Sequence, residues 1–183
     1  MNISNLAELL VSPDEKSEML HSIHMLEGKD FSKFYEINRD IIRNILFLES
    51  REEFLDFSAE NFLDIECFCA AFLCAKGHGI QIGGYEDDLT ETLTAFFKAK
   101  GFDYPKILKI INSERIYTNC SDHDNFKKSL TTINQALSIH NVQIVVFEDF
   151  VYCDCEYTVL FLETPLADRL PSLWQSENFE IYL

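Results

Sequence analysis

The sequence predicts an α+β fold, with a helical N-terminal two-thirds packed with a C-terminal α-β-β-α-β unit that carries a small, mostly antiparallel sheet. Two observations predict it. Over most of the chain, apolar residues recur at three and four positions, the helical period. In the last third, two β-branched runs, 142–147 and 156–162, break that period around an acidic stretch. At 183 residues the expectation is a single domain over 1–183, with a mainly helical lobe at 1–120 and the α-β-β-α-β lobe at 121–183.

Each element has a local reason. Ser12-Pro13-Asp14-Glu15 places an N-cap before Pro at the first helical position, with acids in the first turn. Met19, Ile23 and Leu26 follow at helical spacing, and Gly28 stops that helix. A second helix is expected over Phe31 to Leu48, with Phe34, Ile37, Ile41, Ile45 and Leu48 as its apolar stripe. Ser58 is expected to cap a third helix over Ala59 to Lys76, ended by Gly77-His78-Gly79. Its apolar positions leave only a narrow polar face, which predicts a central helix. Gln81 to Tyr85 reads as a turn or very short strand. A helix over Leu89 to Lys100 has Leu93, Phe96 and Phe97 as its core face, and a short one follows Tyr104-Pro105.

In the last third, Asp122 to His140 is expected to be a helix striped by Phe126, Leu130, Ile133 and Leu137. Two strands and their acidic hairpin tip, Glu148 to Cys155, come next. Thr164-Pro165 caps a helix expected to kink or break at Pro171, and Phe179 to Leu183 makes a last strand. The sheet would be three-stranded with helices on one face.

Composition bounds function more than it names it. Lys and Arg total 15 against 31 Asp and Glu, a formal net charge of −16. Such a surface repels phosphate backbones and anionic lipid and attracts basic partners. Lys127-Lys128 is the only basic doublet, so nucleic-acid binding is not expected. With 47% hydrophobic residues the composition is globular. A chain of this size buries roughly 70% of its extended surface and needs neither disulfide nor metal to form a core. The longest apolar run, Cys67 to Ala75, is about half the ~20 residues of a membrane span, and the opening residues lack the basic n-region of a signal peptide. The expectation is a cytoplasmic protein whose six cysteines are free thiols.

No motif names a reaction, and the balance is against an enzyme. There is no G-x-S-x-G elbow and no H-E-x-x-H pair. Cys67, Cys69 and Cys74 lie in an aromatic, mid-helix run, which reads as buried structural thiols. His21 and His24, three apart on one helix, read as solvated. Gly83-Gly84 is followed by Tyr85-Glu86-Asp87-Asp88, so carboxylates stand where a phosphate would bind. The acidic doublets Glu52-Glu53, Asp87-Asp88 and Glu148-Asp149 are expected to lie on solvated faces. Cofactors and metal are not expected.

The charge is concentrated at the C-terminal end. From Asn141 to Leu183, eight acids stand against Arg169 alone, a net charge of −7 over 43 residues. The hairpin tip mixes these acids with aromatics. Glu148, Asp149, Phe150, Tyr152, Asp154 and Glu156 are therefore the candidate contacts for a basic protein partner, charge steering the encounter and aromatics anchoring it. The competing expectation is a solvated acidic edge with its aromatics folded inward. Two other readings stay open. One is a metal-binding protein or enzyme using Cys153, Asp154 and Cys155, with His123 or Cys120 brought near. The other is a homodimeric scaffold whose aromatics meet at a self-interface.

The order Asn134 to Leu137, strand, acidic turn with Tyr157, second strand and short terminal α-β unit resembles a widespread group of small acidic bacterial proteins of unknown function. The segment Gly79-Ile80-Gln81-Ile82-Gly83-Gly84-Tyr85-Glu86-Asp87-Asp88 is similar to one in that group, where a hydrophobic helix runs into an acid-started helix. The resemblance covers about the last 110 residues and brings no catalytic residues with it. Size and acidity also resemble, in type, the immunity proteins of bacterial toxin systems.

Overall fold

The computed structural model describes residues 7, 10–45, 48–61, 65–82, 90–101, 105–107, 109–110, 123–149, 157–173 and 179–182. The fold is α+β. The chain divides into two compact units, Met1–Gly79 and Ile80–Leu183.

The first unit is helical. Helix α1 (Pro13–Glu27) starts on a complete capping box: the Glu15 N–H donates to Ser12 Oγ, and the Ser12 N–H donates to Glu15 Oε2 at 2.8 Å. It stops at Gly28 as expected, and the left-handed residue of the closure is the next one. Gly28 keeps an ordinary right-handed backbone, and Lys29 takes the left-handed conformation at φ 56°. The Asp30 N–H bonds the Met25 carbonyl and the Lys29 N–H bonds the Leu26 carbonyl, a Schellman closure built one residue beyond the glycine.

Helix α2 (Phe31–Ile45) is interrupted at Asn38, whose φ −107° and ψ 21° are not helical. Here the expected stripe is corrected. Ile37 is 44% exposed, while Phe34, Tyr35, Asn38, Ile41 and Ile42 are buried. On a 3.6-residue helix the buried positions 34, 35, 38, 41 and 42 share an arc of about 120° centred near 38, and position 37 lies about 100° from that centre. The polar Asn38 occupies that buried side because it is satisfied there. It accepts from Ser22 Oγ at 3.0 Å and donates to the Phe34 carbonyl at 3.0 Å.

The expected third helix, Ala59 to Lys76, contains α4 (Ile65–Ala75), and a helix the sequence did not announce, α3 (Arg51–Asn61), begins ahead of it. Ser58 is not a cap. It is buried inside α3, and its hydroxyl donates to the Phe54 carbonyl one turn back. The cap is Ser50, whose Oγ accepts from the Glu53 N–H, and Glu53 reaches back to the Glu49 N–H. Helix α2 packs against α1, α3 and α4, and α4 also meets α1. Phe34, Phe54, Phe68 and Phe72 fill the space between them, with Phe68 edge-on to Phe34 at 5.0 Å between ring centres. Helix α4 stops as expected, with Gly77 in the left-handed conformation at φ 78°.

The second unit contains the sheet. Its elements are β1 (Gly79–Ile82), α5 (Thr90–Lys100), α6 (His123–Leu137), a 3₁₀ turn (Ser138–His140), β2 (Val142–Asp149), β3 (Tyr157–Glu163), α7 (Thr164–Ala167), α8 (Leu170–Leu173) and β4 (Phe179–Tyr182). The strand order is β1-β3-β2-β4, four strands where three were expected, because the Gly79–Ile82 segment joins the sheet beside β3. Strand β2 is antiparallel to both β3 and β4.

Among the described residues both faces of the β2–β3 pair are buried, which corrects the expectation of cover on one face only. Ile144, Val146 and Val159 share a core with Leu93 and Phe97 of α5 and Leu130, Ile133 and Leu137 of α6. Val145, Leu160 and Leu162 alternate with them and are buried as well. Helix α7, folded back directly from β3, packs against β2 and β3. A chain with near-continuous apolar strands needs this second cover. The break in the terminal helix falls at Asp168–Arg169 rather than at Pro171, which sits in the first turn of α8, where its missing N–H costs nothing. The N-cap of α7 is Glu163, not Thr164, and Pro165 lies in the first turn.

Candidate functional site

The acidic end of the sheet is built by register. Strand β2 carries Glu148 and Asp149 at its C-terminal end, where β3 begins and β4 starts its pairing. Glu148 pairs with Tyr157 of β3 on one side and with Glu180 of β4 on the other, and Asp149 pairs with Phe179. Residues directly opposite in an antiparallel pair share a face and sit about 5 Å apart at Cβ, so like charges there are unfavourable. Two carboxylate positions, Glu148 and Glu180, are brought together from segments 32 positions apart in sequence. Of the candidate contacts, Glu148 and Asp149 lie on β2. Phe150, Tyr152, Asp154 and Glu156 lie outside the described residues, as do Cys120, Cys153 and Cys155.

Sequence reasoning missed Glu180 and Tyr157 as neighbours of this end. No spacing rule carries that information, because β4 pairs with β2 and not with β3, the strand before it in the chain. The only available signal was the alternation Phe179-Glu180-Ile181-Tyr182, which marks a strand without naming its partner.

The other chemistry-bearing residues divide clearly. Cys69 is fully buried in α4, and neither it nor Cys74 is in a disulfide. Cys74 keeps part of its surface open, yet burial pushes its thiol up to about 12, far from a thiolate nucleophile or metal ligand. His21 and His24 are exposed on α1. Glu52 and Glu53 are exposed in the first turn of α3, where Glu53 serves the cap.

A polar cluster ties the end of α4 to α1 within the first unit. Lys76 Nζ lies 2.7 Å from Glu18 Oε2 and 5.1 Å from the centre of the Phe72 ring. His78 Nε2 stands 3.5 Å from Glu15 Oε2, too far for a good hydrogen bond. The Ser12 backbone N–H, the Ser12 hydroxyl and His78 together hold the Glu15 carboxyl below the usual carboxylate range, the backbone hydrogen bond acting most strongly. Among the described residues, no three His, Cys, Asp or Glu converge to hold a metal ion, and no helix is long and apolar enough to cross a membrane.

Comparison with protein-family models, with curated proteins and with solved structures finds no match to this chain. The residues themselves therefore carry any functional reading.

Proposed function

We propose that this chain is a non-enzymatic, cytoplasmic binding protein of immunity or inhibitor type, which neutralises a basic protein partner through the acidic end of its sheet. One observation carries the reading: Glu148 and Glu180 are paired in register next to Asp149, in a region with a net charge of −7 over 43 residues. A like-charge pair costs stability in the free protein. A cationic partner relieves that cost on binding, so the pair favours the bound state. Inhibition follows from steric occlusion, with charge complementarity setting the association rate. The acids and aromatics of residues 148–156 supply the contacts.

The test is a pull-down from the native host at low and high salt, followed by mass spectrometry and by binding of the captured protein to purified variants. The expected result is a basic protein whose binding weakens as salt screens the charges and is lost when Glu148, Asp149, Asp154 and Glu156 are changed to Lys, the variant's circular dichroism remaining unchanged. A partner held equally well by that variant, or indifferent to salt, overturns the reading.

A further inference from the structure

No further inference is drawn: the strongest candidate, the side-chain cluster where His78 Nε2, buried and unbonded, faces Glu15 Oε2 at the first turn of α1, carries nothing, because that oxygen already accepts the Ser12 N–H, no third ligating group converges there among the described residues, and nothing in the structure shows what the cluster would bind.

Discussion

The side-chain amide of Asn134 holds the backbone of Ile144 in both directions. Its Nδ2 donates to the Ile144 carbonyl at 2.9 Å, and its Oδ1 accepts from the Ile144 N–H at 2.7 Å. Among the described residues β4 pairs with 146–149 of β2, which does not include Ile144. Asn134, on α6, thus supplies Ile144 with the donor and acceptor that a paired strand would offer. Both residues are buried, so neither backbone group has water as an alternative. Asn134→Ala leaves an N–H and a C=O unsatisfied, each costing about 1–3 kcal/mol. The expected loss is roughly 2–4 kcal/mol, read from urea unfolding with an unchanged m-value. A loss below about 0.5 kcal/mol, the level of ordinary surface changes, refutes the clamp.

The closure of α1 predicts a gain. Lys29 holds a left-handed backbone, which costs a residue with a Cβ about 1–2 kcal/mol. Glycine removes that cost but loses about 0.5–1 kcal/mol through greater freedom in the unfolded chain. Lys29→Gly should therefore stabilise the protein by roughly 0.5–1 kcal/mol, net of these two effects. Gly28→Ala should not help, because its Cβ would stand 3.3 Å from the His24 carbonyl oxygen. Paired thermal melts of the two variants test the assignment, and the opposite order would contradict it.

These two cases mark what the sequence makes legible. Helix existence was readable wherever the cap chemistry was local: Ser12 and Glu15 are three residues apart, and their box forms as the spacing implies. The α+β order and both strands of the β2–β3 hairpin were readable from the change of period. What failed depended on choosing between local alternatives or on distant contacts. Ser50 and Ser58 are both competent caps, and the structure uses Ser50, so a helix starts at Arg51, eight residues before the expected start at Ala59. Ile37 outranks Asn38 in any hydropathy reading, yet Asn38 is buried because Ser22, sixteen residues earlier, completes its hydrogen bonds. The candidate site was half legible for the same reason. Glu148 and Asp149 announce themselves as a doublet, whereas Glu180 joins them only through the pairing of β4 with β2.

The capping box at the start of α1 predicts a pH dependence. The folded Glu15 carboxyl is held below its usual range, chiefly by the Ser12 N–H. A depressed folded pKa means the stabilisation is fully present above the unfolded value of about 4.3 and is lost as pH falls through the folded value. Glu15→Gln should thus be less stable than the parent at pH 7, with the difference shrinking below about pH 4.3, where Glu15 of the unfolded chain protonates, and vanishing once the folded carboxyl protonates at lower pH. Ser12→Ala removes the other half of the box and should cost about 1 kcal/mol at neutral pH. Chemical unfolding at pH 7 and pH 3 separates the contributions; a Glu15→Gln difference that does not change with pH would show that ionisation of Glu15 is irrelevant to the cap.

At the register pair Glu148–Glu180 the proposed function sets stability against binding. Opposite charges across an antiparallel pair contribute roughly 0.2–1 kcal/mol, and like charges subtract a similar amount. Glu180→Lys replaces the second situation with the first, so the variant should be about 1 kcal/mol more stable, or slightly less than that where solvent screens the pair. Glu180→Gln should give about half the gain, since it removes repulsion without adding attraction. High salt should compress all three toward one value. The same substitution should weaken capture of a basic partner, because it removes one carboxylate and adds a repelling charge at the proposed surface. Stability and affinity then move in opposite directions across the series Glu, Gln, Lys. That opposition distinguishes a surface kept for recognition from an incidental acidic edge, for which Glu180→Lys would raise stability and leave binding untouched.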